Sequence, residues 1–303
     1  MKTFFCIVST LFVVAACTID KTDYESESTI VVPDNQAFKE VISFEQESYV
    51  IRVEALEGKL YQGYNEIRVH LLDANSKQSM EHATVTLVPV LTTGAGTRES
   101  CPTSDAWTYV SQEKYYKGYS VFTKESSAGQ WALVFDIQVG GQHLEHLHPI
   151  EVFHQTNMNL NMTSFVGNDQ EHYIIALVAP VKPKVAENDI VAGIFKYNSA
   201  ADTSTWQGLH QAYTSVDHYT LRLDPRMPEP SMGNHSSPNN RDLVQREDSF
   251  YQGVVNYTMT GNWTLNFILQ NNQGRIVKGT KVPTDFTPGV AGVKSELFID
   301  ILF

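Results

Sequence analysis

The sequence predicts an all-β protein made of two antiparallel domains in tandem. Short apolar runs alternate with polar residues at a period of two, turns rich in glycine and asparagine separate them, and no capped helical stripe persists. The 303 residues also exceed the about 100 to 200 residues that are usual for one domain. Each half of the chain is therefore long enough to bury a core of its own.

Residues 1–16 have the pattern of a lipoprotein signal peptide. Lys2 gives a positive start, an apolar core follows, and two alanines stand directly before Cys17. Small residues suit the cleavage site and a cysteine at the new N-terminus can carry lipid, so Cys17 is the predicted lipidation site. The apolar run is shorter than the about 20 residues of a membrane-spanning helix. An ordinary secretory signal, in which Cys17 is incidental, is the alternative.

Residues 17–43 are predicted to form a lipid-anchored tether, because acidic and polar side chains dominate their first half. We expect an exported protein held by its lipid on the cell envelope, at the outer membrane, on either the periplasmic or the surface face. The formal net charge of −12 disfavours binding to nucleic acid. If Cys17 carries lipid, Cys101 has no partner for a disulfide among the residues that remain after processing.

The mature chain contains an internal repeat. Five blocks recur in the same order: residues 49–53 and 173–177, 64–69 and 187–192, 85–87 and 219–221, 115–118 and 250–253, and 129–131 and 261–263. The offset between the copies grows along the chain, so the second copy carries an insertion in its middle. Repeats of this length are domains rather than solenoid units.

Each copy has about seven short strand patterns at spacings near ten residues, which is typical of an immunoglobulin-like β-sandwich. We predict such domains at residues 44–155 and 171–303, joined by a linker at residues 156–170. Trp131 and Trp263 lie on alternating runs and are predicted to anchor the two cores. Exposure of these tryptophans as ligand platforms is the alternative.

The most distinctive loop carries Met227, Met232 and His235 in a stretch rich in proline and glycine. Thioether and imidazole groups suit Cu(I), and this spacing lets one loop surround one ion, so these three residues form the first candidate metal site. Alternatively, both methionines fill gaps at the edge of the core while His235 caps a turn.

A second candidate metal cluster comprises His143, His146 and His148. On a regular strand His146 and His148 share a face while His143 points to the other, so a three-histidine site requires a bulge or a loop. Such a cluster would bind Cu(II), zinc or haem, and solvated histidines on an edge strand are the alternative. Cys101 is expected to be a structural thiol, with a role as a soft ligand left open.

Signatures of catalysis are lacking in the sequence, which has no nucleophile elbow, zinc-protease motif, Cys-x-x-Cys or phosphate-binding loop. Catalytic groups need not be adjacent in sequence, so an unrecognised enzyme stays as an alternative. We expect a protein without catalytic residues.

Three stretches, residues 60–65, 227–239 and 251–263, together resemble the YtkA-like/FixH-like family. Its members are exported or membrane-tethered β-sandwich modules, and the likeness to its two-module lipoproteins of the Bacteroidota type covers essentially the whole mature chain. The resemblance implies a link with copper or cytochrome oxidase maturation and transfers no catalytic residues. The first copy lacks the methionines and the histidine of this loop at residues 88–94, and it keeps only the end of the loop motif, at Cys101 and Pro102.

Taken with the resemblance, the sequence favours a cell-envelope lipoprotein that binds or delivers copper through the loop of Met227, Met232 and His235. The alternative function is a metal-free β-sandwich module that docks on an envelope protein partner. The expected cofactor is copper in the first case and none in the second.

Overall fold

The computed structural model describes residues 37–303. Cys17, the predicted signal peptide and most of the predicted tether therefore lie outside the described residues.

The described chain is almost entirely antiparallel β-structure, so the all-β prediction is confirmed. Within residues 37–303 there is one short α-helix, α1 (Trp206–His210), and there are two 3-10 turns, at Ser126–Ala128 and Met158–Leu160. The strands of the first copy are β1 (Phe38–Gln46), β2 (Tyr49–Leu56), β3 (Leu60–Tyr61), β4 (Gly63–Asp73), β5 (Ala83–Thr93), β6 (Arg98–Glu99), β7 (Thr108–Val110), β8 (Tyr115–Phe122), β9 (Gly129–Val139), β10 (Gln142–Ile150) and β11 (Val152–Phe153). The strands of the second copy are β12 (Met162–Val166), β13 (His172–Ala179), β14 (Glu187–Tyr197), β15 (Tyr213–Ser215), β16 (Thr220–Met227), β17 (His235–Ser236), β18 (Arg241–Gln245), β19 (Tyr251–Asn256), β20 (Asn262–Gln270), β21 (Ile276–Lys278) and β22 (Leu297–Leu302).

The first copy has a sandwich-like arrangement of two antiparallel sheets. One sheet has the strand order β1-β2-β4-β8-β7 and the other has the order β10-β9-β5-β6. Buried positions alternate along β2 and β4, as the period of two predicts. The inward side chains of both sheets share one core, in which Trp131 is 1% exposed.

The second copy folds its strands along one continuous path, β12-β13-β14-β19-β18-β16-β20-β21, to which β15, β17 and β22 add. Strand β18 pairs with both β19 and β16, and its pairing with β19 is irregular between Arg241 and Val244. This irregularity lets one strand pass between the two layers of the copy. The layers enclose a separate core in which Trp263 is fully buried. Both tryptophans therefore lie where the alternation predicts.

The repeat extends to individual hydrogen bonds of the side chains. The Asn65 amide accepts a bond from the backbone N–H four residues earlier and donates to the carbonyls two and four residues earlier, and Asn188 makes the same three bonds. In both copies this asparagine secures the entry to the long strand, β4 or β14.

A second shared feature is a buried tyrosine that ties two strands together. The Tyr116 hydroxyl accepts a hydrogen bond from the N–H of Ala83 and donates one to the carbonyl of Met80, three residues before Ala83. The Tyr251 hydroxyl likewise accepts a hydrogen bond from the N–H of Tyr219 and donates one to the carbonyl of Val216, three residues before Tyr219. Tyr219 is thus equivalent to Ala83, two residues away from the alignment of the sequence blocks above. Because side chains alternate with a period of two, a shift of two residues leaves every face unchanged, and the pattern alone does not detect it.

The insertion in the second copy packs on the first copy. It lies between β14 and β15 and contains α1, whose Leu209 is fully buried against Val88, Val90 and Val134 on the outer face of β5 and β9. A second apolar cluster joins Val121 of the first copy to Ile174, Ala176 and Phe195 of the second. The two copies are therefore held together by two separate apolar contacts.

Two predicted boundaries need correction. Residues 162–166, predicted as part of a linker, form β12, which pairs with β13 along its whole length. The first strand begins at Phe38, inside the range predicted as tether. Met162–Val166 is short and only partly buried, so its period-two signal is weak, and its strand structure depends on pairing with β13. No helix among residues 37–303 has the length and apolar character that a membrane span requires.

Candidate functional site

The loop of Met227, Met232 and His235 is a compact turn at the end of β16. Pro228 stops the strand, and Gly233 and Asn234 adopt positive φ angles of 65° and 53°, which reverse the chain. Strand β17 then pairs back on β16, so that Met227 and His235 lie opposite each other. The backbone N–H of His235 also donates to the carbonyl of Met232 at 3.2 Å.

The loop brings its three candidate ligands to one end of the second core. Met227 is 3% exposed and belongs to that core, and Met232 is half-buried against it. The His235 ring lies across Trp263 with ring centroids 6.1 Å apart. His235 Nε2 is 2.9 Å from the Thr258 hydroxyl, so coordination through Nδ1 would leave this bond intact.

Two oxygen atoms of the same loop are buried without a hydrogen-bond partner among the described residues. They are Glu229 Oε2 and Asn234 Oδ1. Buried acceptors of this kind are uncommon and call for a water or an ion to satisfy them. Both also carry negative partial charge, which favours a cation over an anion in the loop.

The first copy shows that packing alone also accounts for Met227. Leu91 follows Pro89 by two residues on β5, as Met227 follows Pro225 on β16, and Leu91 is fully buried. The strands pair in the same way, because Leu91 lies opposite Glu99 as Met227 lies opposite His235. A methionine fills a leucine site readily, so burial of Met227 does not by itself distinguish a ligand from a core residue.

A more distant segment supports the loop in a way that local spacing does not reveal. The Asn234 side chain donates to the carbonyl of Pro283 at 3.1 Å, and the N–H of Gly292 donates to the carbonyl of Pro228 at 2.7 Å. Residues 283–292 carry a loop composition of proline and glycine but no signal of this pairing. Met259, by contrast, packs against the same core and lies in a stretch that the family resemblance had already marked.

The predicted cluster of three histidines is not formed as one site. Strands β9 and β10 pair in an unbroken register, with no bulge, so His143 faces away from His146 and His148. His143 Nε2 instead lies 2.9 Å from a carboxylate oxygen of Asp136 on the outer face. Within residues 37–303 no three His, Cys, Asp or Glu side chains converge as a metal-binding group.

The other two histidines of that cluster close the edge of the first sandwich. The rings of His146 and His148 stack on Phe44 at centroid distances of 4.2 and 5.4 Å. Burial lowers the pKa of His148, and the nearby His146 lowers it further, so the neutral form of His148 is favoured. The equivalent residues of the second copy are Leu297 and Ile299, which are both 2% exposed. The first copy therefore has imidazoles at two positions where the second copy has apolar core residues.

Cys101 is a buried thiol in the core of the first copy. It is 1% exposed, and burial raises its pKa well above the usual value. A thiol in this state is a weak nucleophile, which agrees with the structural role predicted for it.

Comparison with known proteins adds no family. No family model matches the chain, and no curated protein does. Among solved structures, the chain is similar to a DUF4785 family protein from Legionella pneumophila, with 9% identity and a TM-score of 0.25. That match covers 77% of this chain and 56% of the other, so the chain spans little more than half the length of the structure it matches.

Proposed function

We propose that the protein is an envelope-tethered lipoprotein of two immunoglobulin-like β-sandwich modules that binds copper, as Cu(I), through Met227, Met232 and His235. The observation that carries the proposal is that one loop sets Met227 opposite His235, packs Met232 against the same core as Met227, and lays the His235 ring against Trp263. Polarisable sulfur favours a soft monovalent ion, and the aromatic face of Trp263 adds attraction for a cation. The resemblance to the YtkA-like/FixH-like family supports the same proposal.

A binding titration tests the proposal on the purified full chain under reducing conditions. We expect one Cu(I) per chain and weaker binding of Zn(II), which gains little from methionine. Replacing both Met227 and Met232 with leucine keeps volume and apolarity, so the fold should persist while Cu(I) affinity falls at least tenfold. Met80→Leu with Met162→Leu is the matched control and should leave affinity unchanged. The proposal is wrong if the parent chain binds no Cu(I) or if the Met227/Met232 variant retains full affinity.

A specific surface favours the second candidate function, docking on an envelope protein. Phe286, Val290 and Val293, on the segment between β21 and β22, are 47%, 56% and 62% exposed. This segment lies directly beside the loop of Met227, Met232 and His235. Contiguous exposed apolar surface marks interaction sites, and three exposed apolar side chains on one short segment make this segment the candidate for such a surface. If metal binding fails, crosslinking from this segment should yield a partner-dependent product that Phe286→Ser abolishes and that Val244→Ser, at an exposed position on β18, preserves.

A further inference from the structure

A groove runs between the two copies, away from the loop of Met227, Met232 and His235. It consists of two adjoining hollows of about 340 and 390 Å³. The hollows share Glu99 from the first copy and His172 and Tyr213 from the second. Each hollow falls within the about 300 to 1,000 Å³ typical of small-ligand sites, which occur preferentially at domain interfaces.

Packing between the copies gives the groove fixed walls. Tyr213 packs against the apolar cluster that includes Phe195 and joins the copies, and Ile174 belongs both to that cluster and to the groove wall. The insertion that carries α1 contributes Thr203 to the other hollow, the one that Ile174 does not line. A groove formed by two docked modules is organised before a ligand arrives, which reduces the entropy cost of binding.

The charged side chains of the groove wall make contacts within the protein. Lys124 Nζ lies 2.6 Å from a carboxylate oxygen of Glu99, and the Arg98 guanidinium lies 4.8 Å from the centre of the Trp206 ring. The Lys124–Glu99 pair is neutral overall, and together with Arg98 it offers both donors and acceptors to a polar ligand.

Aromatic rings supply the remaining wall of the groove. The Tyr197 ring lies 5.3 Å from the Tyr213 ring at an angle of 63°, and 6.5 Å from the His172 ring at an angle of 83°. Burial raises the pKa of Tyr213 to about 12, so its hydroxyl stays protonated and is able to donate a hydrogen bond. Such rings offer an apolar face beside a polar edge.

We propose that this groove binds a neutral oligosaccharide. The C–H groups of the sugars pack on the exposed His172 ring and on the Tyr197 ring, and their hydroxyls reach the Tyr213 hydroxyl and the charged side chains of the wall. Two adjoining hollows suit two consecutive sugar units. The proposal is independent of copper binding, because none of the residues that line these hollows belongs to the metal loop.

Screening the purified full chain against an array of neutral oligosaccharides tests the proposal, followed by calorimetric titration with the best binder. We expect His172→Ala, which removes an exposed ring, to weaken that binder at least tenfold without changing the melting temperature. Tyr197→Ala should weaken it similarly. His154→Ala removes a histidine that is 73% exposed outside the groove and serves as the matched control.

Three outcomes would overturn the proposal. One is the absence of binding to every neutral sugar on the array. Another is unchanged affinity in a folded His172→Ala variant. The third is preferential binding of tetraglutamate over all the sugars, which would assign the groove to acidic peptides instead.

Discussion

Trp131 and Trp263 occupy equivalent positions in the two cores, and each indole N–H donates to a backbone carbonyl, that of Lys124 or that of Met259. Trp263 is fully buried, so Trp263→Ala should lower the free energy of unfolding by about 3–5 kcal/mol, because the surrounding sheets do not collapse into the cavity. Chemical denaturation monitored by circular dichroism measures this loss. An unchanged unfolding midpoint would contradict the assignment of Trp263 as a core anchor.

His148 makes the stability of the first copy depend on pH. Its pKa is lower in the folded chain than in the unfolded chain, where it is about 6.5. As the pH falls through 6.5, the unfolded chain therefore binds a proton at this histidine before the folded chain does. The free energy of unfolding should therefore decrease as the pH falls from 7.5 to 5.0. His148→Ile introduces the residue found at the equivalent position of the second copy and should flatten this decrease. Identical pH profiles for the parent and the variant, from denaturation at each pH, would refute the assignment.

At single residues, the sequence predicts burial better than it predicts chemistry. Alternation places Trp131 and Trp263 inside, and it also predicts that His143 faces away from His146 on a regular strand. It does not tell a thioether that binds metal from one that fills a leucine site, because Met227 and Leu91 have the same pattern and the same burial. Only a ligand-binding measurement separates these two roles.

Among the elements, α1 has the clearest energetic role, because it fastens the second copy to the first. Leu209 is fully buried against three valines of the first copy, so Leu209→Ala should cost about 2–5 kcal/mol. Since the loss falls on the contact between copies, we expect calorimetry to show the two copies unfolding in separate steps. The exposed neighbour on the same helix, Gln207→Ala, is the control and should keep the parent profile. A single unshifted transition in Leu209→Ala would show that α1 does not couple the copies.

The insertion also shows what a repeat in the sequence leaves out. The growing offset between the copies predicts extra residues in the second copy, and the structure has them between β14 and β15. Their docking on Val88 and Val90 carries no local signal, since those valines are more than 100 residues away and their own pattern fits a strand buried on both faces. The wall of the groove between the copies depends on this docking and was unpredictable for the same reason.

Considered as a whole, the molecule places its candidate sites at different distances from the contact between the copies. The groove lies at that contact, whereas the loop of Met227, Met232 and His235 lies at an end of the second core. Neither site requires the copies to move relative to each other, because apolar side chains fill both contacts. The proposed copper site and the proposed glycan groove are therefore compatible in one molecule.

Attachment of the protein to the envelope is proposed to depend on Cys17, which the N-terminal pattern of small residues before a cysteine predicts to carry lipid. Cys17→Ala removes the only side chain there that is able to form the thioether to lipid, so incorporation of labelled fatty acid should be lost and an uncleaved precursor should accumulate. Cys101→Ser is the matched control, because that thiol is buried and the equivalent residue of the second copy is Ser237. It should retain the label in full. Undiminished labelling of the Cys17→Ala chain would contradict the assignment of Cys17 as the lipidation site.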